Sequence, residues 1–120
     1  RFSRGLLSWV GFKRDYIYVK DVVSSYIALA ENLHRKEIQG QSFNFGNDKP
    51  VKVIEIVKLI QSLMKKESIK PSILNKAKGE IKEQYLNSKK ARRLLNWSPR
   101  YTLGNGLKET IEWYRNFFKK

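Results

Sequence analysis

An arginine at the start of a strand-like stretch is the residue of this chain best suited to binding chemistry. Arg14 opens the segment Arg14–Val23, whose first half carries the tyrosines and β-branched residues that favour a pleated, half-buried strand. A guanidinium group can make paired hydrogen bonds to anionic oxygens, so we expect Arg14 to contact a ligand. The alternative is a surface arginine that pairs with Asp15 or, across the turn, with Asp21.

The charge balance of the chain points to anionic partners. The 120 residues include 25 Lys and Arg against 11 Asp and Glu, which gives a net charge of +14. Such a charge attracts nucleic acid, a membrane surface or a phosphorylated small molecule. The basic residues are spread over every segment, and the densest cluster, at 89–93, alternates with apolar positions of a predicted helix. We interpret that cluster as a solvated helix face.

Several kinds of site are poorly supported by the composition. Cysteine is absent and His34 is the only histidine, so a thiol nucleophile, a His/Cys metal site and a Ser-His-Asp triad are not expected. We therefore predict no metal-ligating residue. Apolar runs are too short to span a membrane, and residues 1–12 lack the layout of a signal peptide. We expect a cytoplasmic protein with no membrane partner.

Hydrophobic periodicity predicts an α/β chain with few strands. The predicted strands lie near residues 14–19, 42–46 and 70–74, and the predicted helices near 21–33, 53–64, 88–95 and 102–118. Asn87 or Ser88 should cap the third helix, Asn96 should end it with a left-handed residue, and Thr102 should cap the fourth. Residues 1–12 form a separate apolar stretch that either docks on this domain or packs elsewhere, and residues 13–120 form the domain itself.

Taken together, these pieces resemble the carboxyl-terminal part of the extended short-chain dehydrogenases/reductases, the family of nucleotide-sugar epimerases and 4,6-dehydratases. The matching stretches run in the family's order and are residues 14–21, 43–46, 79–86, 90–97, 99 and 106–114. Residues 80–86 are most similar to the branch of CDP-glucose or GDP-mannose 4,6-dehydratases. The resemblance implies a partial, substrate-binding region with an incomplete Rossmann sheet.

The chemistry of this family oxidises the sugar transiently with NAD(P) and uses a helical Tyr-x-x-x-Lys pair. The chain contains no Gly-x-x-Gly-x-x-Gly turn, so the resemblance implies that the cofactor half would lie before Arg1. It also implies that this chain has no catalytic or cofactor-binding residue and is inactive alone. Tyr16 and Lys20 have the Tyr-x-x-x-Lys spacing. On a strand they would lie about 13 Å apart, which is too far for a catalytic pair.

The resemblance implies that this chain binds a nucleoside diphosphate sugar. Arg14 matches the arginine that holds the diphosphate, and Glu80 matches the acid that accepts hydrogen bonds from the ribose hydroxyls. Asn47 follows a strand whose loop approaches the substrate in relatives. The family usually has an arginine at the position of Ala77. Here Lys78 and Lys76 flank Ala77 and supply positive charge, but they lack the planar guanidinium of an arginine.

Two other functions remain open from the residues alone. A basic nucleic-acid-binding module would use the high charge and the tyrosines, although these aromatics fall at core spacing. A non-catalytic assembly role would use the apolar amino-terminal stretch. The resemblance also implies that the first helix loses a partner, so we predict a homo-oligomer that forms through this helix and residues 2–12, or a missing amino-terminal domain. Asn44, Trp97 and Tyr114 are assigned to structure.

Overall fold

The chain folds as a mixture of helices and very short strands. The computed structural model describes residues 6–7, 11–74 and 79–119. In chain order the elements are β1 (Leu6–Leu7), β2 (Lys13–Arg14), α1 (Val19–Asn32), β3 (Val51–Lys52), α2 (Val53–Met64), β4 (Ser72–Ile73), β5 (Glu83–Gln84), α3 (Lys89–Leu95) and α4 (Leu103–Phe117). The predicted α/β class with an incomplete sheet is confirmed.

β2 is the central strand of the larger sheet. It pairs antiparallel with β3 on one side and parallel with β5 on the other, so that Arg14 lies between Val51 and Gln84. A separate parallel pair joins β1 to β4. The strand predicted over 14–19 is too long, because Tyr18 already accepts the backbone N–H of Asp21 at 2.9 Å and begins α1.

The strand predicted at residues 42–46 is wrong. Its alternation reflects one-sided burial: the ring of Phe45 packs edge-on against Trp97, with ring centroids 5.0 Å apart. A strand also needs a neighbour whose backbone completes its hydrogen bonds, and none lies there among the described residues. Instead the Gly46 N–H donates to Ser88 Oγ at 2.7 Å.

The helix predictions are largely confirmed. α2 has the predicted bounds, and α1 begins two residues earlier than predicted. Thr102 Oγ1 accepts the Asn105 N–H at 3.2 Å and caps α4, and Asn96 ends α3 with a φ of 50°. Ser88 is the N-cap residue of α3, but its side chain makes no capping bond, because its hydroxyl is engaged with Gly46. The other predicted residue, Asn87, accepts the Lys89 N–H at Oδ1, at 3.1 Å.

A small core lies where α1 meets α3 and the connector that follows. Its buried members are Ile38, Ala91, Leu95 and Trp97. The Trp97 indole N–H donates to Ser24 Oγ at 2.9 Å, which agrees with the structural role predicted for Trp97. A structural role is predicted for Tyr114 too, but its side chain is 51% exposed, and its ring contacts Trp113 and Phe118, which are also exposed.

The carboxylate of Asp21 ties α1 to the approach to α4. The side chain is buried, and it accepts the backbone N–H groups of Arg100 at 2.8 Å and Tyr101 at 3.1 Å. Two N–H donors satisfy a charge that would be costly to bury alone. This link positions the connector that leads into α4.

The molecule is flat, and much of its apolar surface faces outward. Its radius of gyration is 17.4 Å, against roughly 14 Å for a compact domain of this length. One side of α1 is exposed along its length at Val19, Val23, Tyr26 and Ile27. An apolar face of this extent is unusual on the surface of a monomeric domain.

Candidate functional site

The side chain of Arg14 is held in place by its own strand and its neighbours. Its Nη1 donates to the Lys13 carbonyl at 2.9 Å, and its guanidinium carbon lies 5.5 Å from the centre of the Phe12 ring. The carboxylate nearest to it belongs to Glu80, with Nη2 and Oε2 3.8 Å apart. The alternative pairing with Asp15 or Asp21 is not seen, because both carboxylates accept backbone N–H groups instead.

Glu80 reaches Arg14 because its loop docks on the same sheet. Gly79, at a φ of 76°, turns the chain into this loop, and the Lys13 N–H donates to the Lys82 carbonyl at 2.9 Å. The parallel register of β5 with β2 then fixes the loop beside Arg14. Both side chains keep access to solvent, at 28% exposure for Arg14 and 50% for Glu80.

Asn47 belongs to a turn that the Asp15 carboxylate organises. Asp15 Oδ1 accepts the Asn47 N–H at 3.0 Å, and Oδ2 accepts the Asp48 N–H at 3.1 Å. The side-chain amide of Asn47 donates to the Tyr16 carbonyl. Asn47 is therefore fixed to the segment that follows Arg14, and its amide is engaged with backbone. Sequence reasoning treated Asp15 only as a possible partner of Arg14, and so missed its role.

The structure thus brings two of the four predicted site residues into contact. Arg14 and Glu80 lie side by side, while Asn47 is joined to the neighbouring backbone of Tyr16. Lys78, like Ala77 and Lys76, lies outside the described residues. A guanidinium beside a carboxylate can bind a ligand that carries both a phosphate and a pair of neighbouring hydroxyls.

A second polar cluster surrounds Glu109 on α4. Its Oε2 accepts Lys20 Nζ at 2.6 Å and the Tyr18 hydroxyl at 2.9 Å, and Lys20 also lies 5.8 Å from the Tyr101 ring centre. The bond from Lys20, followed by that from Tyr18, lowers the pKa of Glu109. The same bond raises the pKa of Lys20, whereas desolvation is the main cause that raises the pKa of Tyr18.

This cluster bears on the Tyr16 and Lys20 pair. The Lys20 ammonium is directed to Glu109 and Tyr101, which ties α1 to α4. A lysine that lowers the pKa of a catalytic tyrosine must act on that tyrosine's hydroxyl. The contacts of Lys20 are those of a structural ion pair, and its Tyr18 neighbour has a raised pKa rather than a lowered one.

Dinucleotide and metal sites can be tested against the described residues. A Rossmann site needs a glycine-rich turn between a strand and a helix. The passages from β2 to α1 and from β3 to α2 contain no glycine, so these turns do not fit a dinucleotide. Among all the described residues, no group of three or more His, Cys, Asp or Glu side chains could hold a metal ion. No helix in the described part of the chain is long and apolar enough to cross a bilayer.

Comparison with known proteins places these features in context. No family model matches the chain. A UDP-glucuronate 4-epimerase of Thermodesulfobacterium geofontis is 32% identical over 101 residues, which are 83% of this chain and 29% of that protein. An uncharacterised protein of Methanocaldococcus jannaschii is 30% identical over 102 residues, 85% of this chain and 30% of that protein. The chain therefore spans about a third of the length of the curated relatives it matches.

Solved structures show the same kinship. A UDP-glucose 4-epimerase of Thermotoga maritima, solved with UDP-glucose, superposes with a TM-score of 0.78 at 26% identity and covers 97% of this chain and 36% of that one. A dTDP-glucose 4,6-dehydratase of Bacillus anthracis, solved with NAD, gives a TM-score of 0.76 at 26% identity over 92% of this chain and 34% of that one. Both epimerases and dehydratases are thus among the relatives.

Proposed function

Because this chain belongs to the extended short-chain dehydrogenase/reductase family of nucleotide-sugar epimerases and dehydratases, we propose that it is the substrate-binding portion of such an enzyme. In this proposal the chain corresponds to the carboxyl-terminal part of the enzyme and binds the nucleoside diphosphate of a nucleotide sugar. The observation that supports it most directly is the contact of Arg14 on β2 with Glu80 in the loop before β5, whose Nη2 and Oε2 atoms lie 3.8 Å apart.

Each of the two side chains suits one part of that ligand. The guanidinium of Arg14 can hold two phosphate oxygens in one plane, and the Lys13 carbonyl and the Phe12 ring restrict its orientation. Both oxygens of the Glu80 carboxylate can accept from the two hydroxyls of a ribose. Ribose and diphosphate are adjacent in a nucleotide. The neighbouring carboxylate of Glu80 and guanidinium of Arg14 therefore match neighbouring parts of the ligand.

The contact between Arg14 and Glu80 does not prevent binding. An ion pair this exposed contributes at most about 1 kcal/mol. A hydrogen bond from arginine to a charged phosphate contributes about 1.5–3 kcal/mol. The ligand therefore replaces a weak contact with stronger ones.

The redox step belongs to another part of such an enzyme in this proposal. When bound, NAD(P) supplies a hydride acceptor for the sugar. The β2–α1 and β3–α2 turns contain no glycine, and Lys20 binds Glu109. The chain supplies substrate contacts, and we expect it to be inactive by itself.

Calorimetric titration of the chain with UDP-glucose, UDP-glucuronate and dTDP-, CDP- and GDP-sugars tests this proposal. We expect saturable binding of at least one of them, weakened about tenfold or more by Arg14→Gln. Arg14→Lys keeps the charge but loses the paired geometry, so it should bind weakly too. Arg93→Gln is the matched control, because it removes the same charge from an exposed position of α3. Absence of binding by all five sugar nucleotides would contradict the proposal.

The role of Glu80 is tested by a different comparison. Glu80→Gln should weaken the binding of a nucleotide sugar more than that of inorganic pyrophosphate, because only the former has a ribose. Equal weakening of both would mean that Glu80 acts through Arg14 alone. A steep salt dependence for a single-stranded oligonucleotide, without competition by nucleotide sugars, would instead favour the nucleic-acid-binding alternative.

A further inference from the structure

A cavity that is separate from the Arg14 and Glu80 pair is lined by cationic side chains. Its volume is about 360 Å³, and neither Arg14 nor Glu80 lines it. The side chains of Lys49, Arg92 and Arg100 line it, and none of its described lining residues is acidic. Three cations around one concave surface concentrate positive potential there.

Two of these cations are not neutralised. In the described part of the chain, the Lys49 ammonium and the Arg100 guanidinium form no ion pair with a carboxylate. Arg92 is different, since its Nη2 lies 3.2 Å from Asp48 Oδ2. That contact orients Arg92 at the cavity and leaves the other two positive charges for a ligand to neutralise.

Buried and half-buried carboxylates hold the wall of this cavity in place. The Asp21 carboxylate accepts the backbone N–H of Arg100 at 2.8 Å, and this bond fixes the backbone position of Arg100. Asp48, whose Oδ1 accepts the Ser88 N–H at 2.9 Å, is itself held through its own N–H by Asp15 at 3.1 Å. The loop that carries Lys49 and the connector that carries Arg100 are therefore both anchored.

An apolar chamber adjoins the cationic cavity. It has a volume of about 130 Å³, and the two share lining residues that include Tyr16, Asn47 and Tyr101. The chamber continues between Ile56 on α2 and Leu107 on α4. A cavity of about 150 Å³ is known to hold a benzene ring, so this chamber is of a size for one small ring.

We propose that the cavity and its chamber together bind a small organic phosphate. The phosphate lies among Lys49, Arg92 and Arg100, and an apolar ring or short chain lies in the chamber lined by Ile56 and Leu107. This site can be tested separately from the proposed function, because neither Arg14 nor Glu80 lines it, although the predicted site residue Asn47 lines both cavities. The site should therefore select ligands that carry both a phosphate group and a small apolar group.

Calorimetric titration of the chain with phenyl phosphate tests the cationic part. We expect saturable binding that Arg100→Gln weakens about tenfold, the loss expected for one charge-assisted hydrogen bond. Arg93→Gln, which removes the same charge outside the cavity, should change the affinity by less than about twofold. Equal weakening by both variants would overturn the proposal, since attraction would then depend on net charge alone. So would an absence of saturable binding.

Comparison of two ligands tests the chamber without any variant. Phenyl phosphate should bind about tenfold tighter than inorganic phosphate, because its ring moves from water into the apolar chamber. Equal affinities would overturn the assignment of the chamber. Arg14→Gln should weaken phenyl phosphate binding less than Arg100→Gln does. A tenfold loss in that variant would place the phosphate at Arg14, which would overturn this proposal while leaving the proposed function standing.

Discussion

Gly46 lies so close to Asp15 that no side chain fits between them: a Cβ at Gly46 would lie 2.5 Å from Asp15 Oδ2. The same carboxylate oxygen accepts the backbone N–H of Asp48 at 3.1 Å. The glycine therefore lets the end of the 42–46 segment approach the segment that follows Arg14. Through this contact, the turn that carries Asn47 is positioned relative to β2.

Gly46→Ala should lower the free energy of unfolding by about 1–3 kcal/mol, because the added methyl displaces a carboxylate that satisfies backbone donors. Gly104→Ala is the matched control, since a Cβ there meets nothing within 4 Å and α4 is helical at that position. That variant should be neutral or up to about 1 kcal/mol more stable. Urea unfolding of both variants measures the difference, and an equal effect would contradict the interpretation.

Asp21→Asn should destabilise the chain through the connector to α4. The carboxylate is buried and accepts two backbone N–H groups, whereas an amide has one accepting oxygen and turns its NH₂ group toward a donor. We expect a loss of about 1–3 kcal/mol in urea unfolding. Glu31→Gln, an exposed carboxylate on the same helix, should change the stability by less than about 0.5 kcal/mol. A loss of that small size for Asp21→Asn would show that the N–H groups find other partners.

Helices were predictable from this sequence where one face is buried and the period is complete. α2 repeats its apolar residues every three to four positions and has the predicted bounds. The 42–46 segment has the alternation of a strand, but alternation records only which side is buried. Whether a neighbouring strand completes its hydrogen bonds depends on distant residues, and this is why that prediction is wrong.

The candidate site was predictable only through the resemblance. Periodicity placed Arg14 on a strand, but nothing in local spacing brings Glu80 to it across 66 residues; the parallel pairing of β2 with β5 does so. The role of Asp15 was missed for a similar reason. A carboxylate that binds backbone N–H groups more than 30 positions away leaves no periodic signal. Gly46 was the available hint, since a glycine directly after an apolar alternation often marks close backbone approach.

The exposed face of α1 should cause the isolated chain to associate with itself. Its large apolar residues are more than half exposed, among them Ile27 at 53%. Sedimentation velocity should show association that increases with concentration and that Ile27→Glu reduces. Ile81→Glu is the matched control, because Ile81 is 61% exposed and lies in a loop that is not part of this helix. A monodisperse monomer at high micromolar concentration would contradict the prediction.

The contact of Glu109 with Lys20 should make stability depend on pH in the acid range. The folded state lowers the pKa of Glu109 below its ordinary value of 4.5, chiefly through the bond from Lys20. A carboxyl with a lowered pKa stabilises the fold above that ordinary value, and this contribution is lost as the pH falls through the folded pKa. The raised pKa of Lys20 gives the mirror effect, a contribution lost only at strongly alkaline pH.

Urea unfolding of the wild type and Glu109→Gln, from neutral to strongly acidic pH, measures this effect. The wild type should be more stable at neutral pH, and the difference should shrink once the pH is below the folded pKa of Glu109. Glu112→Gln, which alters an exposed carboxyl three positions further along α4, should show no such convergence. A difference that stays constant across the range would mean that Glu109 acts by packing rather than by charge. The tie between α1 and α4 would then not depend on the ion pair.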